Sequence, residues 1–266
     1  MIGWRQALGG HGPAAVGVGT AQPIQTRIGR VRRVVKYAIA VIATTTFISA
    51  PVAADFIGLS ADLVGVNLVQ TIPGQPDQPD TWTARIYADF DAADHLLSLS
   101  GNGTNAMLWA SDSQFYQNTF GGPTSLDINE GQFGDLPDLQ YDSWLTIGAA
   151  SQDANALQEI GISWAAFNSG SPLYVPNGAL FTTPDATQGV AQDDGSGRYR
   201  VLVAQLTVFG TPATKIWGQT NLLWNDTAGQ THESFVEFSF ANIPAPGAFA
   251  LLGLTALTSN RRRCTA

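Results

Sequence analysis

Hydrophobic and polar residues alternate along most of this chain. From Thr81 to Asp91, the residues Trp82, Ala84, Ile86, Ala88 and Phe90 face one way, and Thr83, Arg85, Tyr87, Asp89 and Asp91 the other. This period of two predicts a half-buried β-strand with Trp82 turned inward. Similar patterns predict strands over Ala61–Gln70, His95–Ser100, Ala106–Trp109, Ser143–Gly148, Ile160–Phe167, Tyr199–Phe209, Ile216–Trp224 and His232–Ala241. Tyr199–Phe209 is apolar on both faces, which places it centrally in a sheet. Turn residues separate the runs, as in Gly101-Asn102-Gly103, Gly121-Gly122-Pro123 and Asp193-Asp194-Gly195-Ser196-Gly197. No stretch carries a convincing helical period, and no internal repeat occurs. The expectation is an all-β fold: one antiparallel β-sandwich, jelly-roll-like, over residues 55–243, with Pro-rich 71–80 as a long loop.

Two apolar runs break the alternation, one at each end. Tyr37–Ala50 is uncharged and follows Arg27, Arg30, Arg32, Arg33 and Lys36. The small residues Val52-Ala53-Ala54 come next. Together they predict an extended leader and signal helix over residues 1–54, cleaved between Ala54 and Asp55. At the other end, Pro244, Pro246 and Gly247 break the preceding strand. Ala248–Thr258 is apolar all round, and Arg261, Arg262 and Arg263 follow. As a helix it would cross roughly half to two-thirds of a ~30 Å hydrocarbon core. The arginines would stay on the cytoplasmic side. Residues 244–266 are therefore expected to be a sorting helix, inserted transiently in the inner membrane.

The order Pro-x-Pro-Gly, apolar run, arginine cluster resembles the PEP-CTERM sorting signal of Gram-negative exopolysaccharide producers, with Ala245 in place of the name-giving Glu. Pro-Ala-Pro-Gly tails look like those of planctomycete-type bacteria. The resemblance implies an exosortase-type processing enzyme and the export machinery as partners. It implies a destination at the cell surface, outer membrane or extracellular matrix. In the body, Trp82–Phe90, Phe115–Asn118 with Phe120-Gly121-Gly122, and Tyr141–Gly148 are similar to a module that recurs in exported proteins with such tails. That module has no assigned activity, so the resemblance implies one domain and no catalytic residues.

Subtracting both ends changes the charge. Only Arg85, Arg198, Arg200 and Lys215 remain as cations, against all 21 acidic residues. Four against 21 leaves a body at −17, where the whole chain carries −8. Such a body repels nucleic acid and anionic membranes. The one cysteine, Cys264, lies in the tail, so the body has no disulfide and no thiolate.

Three kinds of chemistry are candidates. Asp89, Asp91 and Asp94, with Asp193 and Asp194, are carboxylate-rich enough to bind calcium, the only cofactor under consideration. Exposed aromatic rings on a β-sandwich stack on sugars; Trp144, on one face with Asp142 and Thr146, is the leading candidate, with Tyr116 beside it. Glu130, Glu159, Glu233 and Glu237 could supply a glycosidase pair, but no nucleophile elbow, zinc motif or phosphate loop occurs, and nothing marks His95 or His232. The reading is a non-catalytic structural or adhesive protein of the cell surface or matrix. The alternatives are a carbohydrate- or calcium-binding module and, third, a glycoside-active enzyme. Extracellular polysaccharide is the expected partner.

Overall fold

The computed structural model describes residues 56–69 and 80–241, which belong to one compact unit. The signal and sorting helices, the cleavage pair Ala54 and Asp55, and the tail residues Pro244 to Arg263 lie outside the described residues, as does most of the Pro-rich loop. Within them the chain forms two antiparallel sheets and five short 3-10 turns.

The first sheet has the order β1-β2-β10-β5, from Phe56–Val66 (β1), Thr81–Phe90 (β2), Tyr199–Phe209 (β10) and Trp144–Leu145 (β5). Gln192–Asp193 (β9) pairs with β10 at Tyr199 and Arg200, while β5 pairs with it at Ala204 and Gln205. The second sheet holds His95–Gly101 (β3), Met107–Ser111 (β4), Gln158–Ile160 (β6), Leu173–Val175 (β7), Gly178–Phe181 (β8), Ile216–Asn225 (β11) and Thr231–Phe240 (β12). Here β3 and β4 lie end to end along one side of β11, and β7 and β8 lie end to end along β4 and β3. In effect each pair is one long strand interrupted by a loop. β12 covers the other side of β11.

The inward faces of the two sheets meet in one core. Trp82, Ile86, Phe90, Val203 and Leu206 come from the first sheet, and Leu99, Trp109, Leu180, Ile216 and Leu222 from the second. Trp82 points inward, as its alternation requires, and is fully buried.

Four features depart from the expectation. The opposite face of β2 is buried as well: Thr81, Thr83 and Asp89 are covered. The cause is a third layer. Residues 115–150 pack over the outer face of the first sheet, where Ile128, Leu139 and Trp144 make a second small core with Leu202 of β10. Thr83 and Thr207 bond through their hydroxyls at 2.7 Å, and Thr207 Oγ1 donates to the Tyr141 carbonyl. Second, β1 begins at Phe56, five residues before the pattern predicted, and its first residue packs on Phe90. Third, Ile160–Phe167 is not a strand. Gly161, at φ +69°, turns the chain out of the sheet beyond β6. Ile162, Trp164 and Phe167 still pack on the core, which gave the segment its apolar pattern without a ladder. Fourth, Ser143–Gly148 contributes only the two residues of β5, because Thr146 and Gly148 bond irregularly to Val203 and Leu202.

Gly218, between β4 and β12, sits where a Cβ would lie 2.0 Å from the Leu108 carbonyl oxygen. Gly218→Ala must push two paired strands apart and is expected to cost about 1–3 kcal/mol in urea unfolding. Gly103→Ala, in open space, is expected to stay within about 0.5 kcal/mol. Equal costs would contradict the tight β4–β11 approach.

Candidate functional site

The five aspartates expected at a calcium site are dispersed. Asp89, on the outer face of β2, accepts from Arg200 Nε at 3.0 Å. The same guanidinium pairs with Asp62 at 2.7 Å, donates to Ser60 and lies 3.9 Å from the centre of the Tyr87 ring. Arg198 reaches Asp194 at 3.0 Å and Asp89 at 3.9 Å. Acids from both candidate clusters therefore do meet, around two arginines. The Ser196 hydroxyl and N–H hold the Asp194 carboxyl down at about 2, and Asp193 caps the N–H groups of Gly195 and Gly197. Asp91 is exposed beyond the end of β2. Asp94 is fully buried with neither oxygen hydrogen-bonded. Burial raises its pKa, with Asp91 and Asp226 adding to the effect. Among the described residues no three metal-ligating side chains are arranged to hold an ion.

Of the two rings expected to stack on sugar, Trp144 is buried and Tyr116 is half-buried. Trp144 is 1% exposed, because the 3-10 turn Pro137–Tyr141 and Phe133 fold over β5. Tyr116 stands edge-on to Phe209, and its hydroxyl accepts from Asn118 at 3.1 Å. Burial pushes its phenol up to about 12. His232 bonds Asp226 at 2.9 Å and stacks on Trp224, while burial lowers the pKa of His95. Glu159 accepts from the Trp164 indole.

A different surface collects aromatic rings: the outer face of the second sheet. There Trp217, Gln219 and Asn221 project from β11, and Phe235, Glu237 and Ser239 from β12. Their strand partners place Trp217 beside Ser239, Gln219 beside Glu237 and Asn221 beside Phe235. Across the sheet, Gln219 pairs with Leu108, and Leu108 with Tyr174 of β7. Tyr174 is 62% exposed, Trp217 39% and Phe235 40%. Strand and residue spacings put the three rings at the corners of a triangle about 12–16 Å on a side. A groove of about 450 Å³ runs beside Trp217, lined by Leu108, Trp217, Gln219, Glu237 and Ser239. Trp217 is steadied by a 3.2 Å bond from its indole N–H to Asp112, and Gln219 by one to the Ala106 carbonyl. The signal for this face was present in the sequence, as Trp217-x-Gln219-x-Asn221 and Phe235-x-Glu237-x-Ser239. Alternation alone does not show which outer face stays uncovered.

No protein family, no curated protein and no solved structure matches this chain.

Beneath the Tyr116 loop, Asp142 is fully buried, accepting from Asn118 N at 2.7 Å and Gly122 N at 3.0 Å. Burial lifts its carboxyl from 3.8 to about 7, against these backbone donors. The folded state then holds a proton that the unfolded state has released, so the contribution of Asp142 to stability is full below about pH 4 and is lost as pH rises through about 7. Asp94 acts in the same direction. Urea unfolding of Asp142→Asn across this window is expected to show a shallower fall than the wild type. A wild-type stability that rises from pH 4 to 7 would contradict it.

Proposed function

We propose that this chain is an exported, non-catalytic adhesive protein, a jelly-roll-like β-sandwich that holds neutral extracellular polysaccharide on the outer face of its second sheet. The observation that carries the reading is the open triangle of Tyr174, Trp217 and Phe235 around Gln219 and Glu237. Aromatic faces are flat and electron-rich, and they attract the polarised C–H groups on the face of a sugar ring. Gln219 and Glu237 lie between the rings, where they can bond ring hydroxyls. Large apolar side chains grouped on an outer face are a common mark of a binding surface. The triangle matches a short oligosaccharide in length. Glu233, Glu237 and the −17 body favour a neutral polymer over a polyanion.

The leader, the Pro-Ala-Pro-Gly tail and Arg261–Arg263 support export, removal of the tail by an exosortase-type enzyme, and delivery to the cell surface, outer membrane or matrix. In such a place a polysaccharide-holding module acts by adhesion.

Affinity electrophoresis of the secreted protein against a panel of neutral polysaccharides tests the binding. Trp217→Ala and Tyr174→Ala are each expected to weaken retention about tenfold. Phe120→Ala, equally bare but away from the groove, should leave it unchanged. Equal losses in all three variants, or no retention by the wild type, would count against the reading. Mass spectrometry of the secreted form should show a chain beginning at Asp55 and lacking Arg261–Arg263; a product that keeps the arginines refutes processing.

A further inference from the structure

The outer face of the first sheet carries a separate cavity, of about 340 Å³. Such a volume suits a single small ligand. Its walls include Phe133, Tyr141, Trp144 and Val64, and its floor is Arg85 with Gln205. Arg85 is an unusual cation in this body. Arg198 and Arg200 are taken up by Asp62, Asp89 and Asp194, and Lys215 is exposed. Among the described residues Arg85 forms no ion pair.

The arginine is nevertheless held in position. Its Nε donates to Gln205 Oε1 at 3.1 Å. Gln205 is 1% exposed, and its amide nitrogen is bound to the carbonyls of Gln140 and Asp142 at 2.9 and 3.1 Å. Gln205 therefore cannot turn, and it fixes the plane of the guanidinium. The two Nη groups remain, and a guanidinium offers paired N–H donors that match a carboxylate. In the same wall the Trp144 indole N–H is buried without an acceptor. Phe133 and Tyr141 supply aromatic surface for a ring.

We infer that this cavity binds a single ring-sized carboxylate of the uronic-acid class, with its carboxylate on Arg85 and its ring between Tyr141 and Phe133. Glu130, exposed at the lining, and the acidic body disfavour a second negative charge, so a monomer or chain end is selected over a long polyanion. This site is on the opposite sheet from the Trp217 groove and does not depend on it.

The test uses the full-length protein and isothermal titration with D-glucuronate, D-glucose and benzoate, with the fluorescence signal lost in a Trp144→Phe variant as a second readout. Glucuronate is expected to bind saturably and at least about tenfold more tightly than glucose, because the charge-assisted pair is lost with the neutral sugar. Arg85→Met is expected to lose about tenfold or more. Arg85→Lys keeps the charge but not the fork, and it serves if the methionine variant fails to fold; it too should bind more weakly than the wild type. Trp217→Ala should bind glucuronate normally. The inference is overturned if glucuronate fails to bind, if glucose binds as well to the Trp217→Ala variant, or if folded Arg85 variants match the wild type. Benzoate binding as tightly as glucuronate would overturn the sugar class, and a loss of glucuronate binding in Trp217→Ala would overturn the location.

Discussion

The side-chain amide of Gln205 is the joint on which the outer half of this molecule depends. It sits in the middle of β10, buried, with the core strand β2 on one side and the covering segment on the other. Its nitrogen bonds two carbonyls of that segment, and its oxygen holds Arg85 of β2. A buried polar group left unpaired costs about 1–3 kcal/mol. The amide therefore admits one arrangement of the cover, in which Gln140 and Asp142 come down over the strand. The neighbouring Thr83–Thr207–Tyr141 and Ser143–Thr207 bonds follow the same register. Trp144 then closes over the apolar side of this seam.

This seam makes the two sheets unequal. The outer face of the first is largely covered, so most of its outer polar residues are committed to bonds within the protein, and what it offers is a partly open cavity beside Arg85. The second is buried on one face only. No segment covers its outer side, and although Trp217, Gln219 and Asn221 bond within the protein, the aromatic rings at Tyr174, Trp217 and Phe235 stay exposed. The ion-pair group of Arg198, Arg200, Asp62, Asp89 and Asp194 also belongs to the first sheet's outer face. It turns carboxylates that look like metal ligands in the sequence into partners for arginine.

Much of the β framework could be read from alternation. The strands at Thr81, His95, Tyr199, Ile216 and Thr231 lie close to their predicted places, since each has one face against the shared core. The short strands β6 to β9 leave no trace in the sequence, because two to four residues carry no measurable period. Ile162, Trp164 and Phe167 imitated a strand because they pack on the core without pairing. For the candidate rings, alternation did not show which outer face is covered. Trp144 has the polar neighbours of an exposed ring, yet the Phe133–Leu139 segment covers it. Trp217 looks no different in pattern and stays bare.

By itself the sequence determined a period-two chain with an inward Trp82, an acidic body nearly without cations, and ends whose composition differs from everything between them. These follow from local chemistry: which residues alternate, which carry charge, which lack it. Tertiary structure alone decided which outer face is covered, which acids find arginines, and why Arg85 is left with open donors. Those outcomes depend on contacts between residues more than a hundred positions apart, such as Arg85 with Gln205 and Asp89 with Arg200. No local pattern records such contacts.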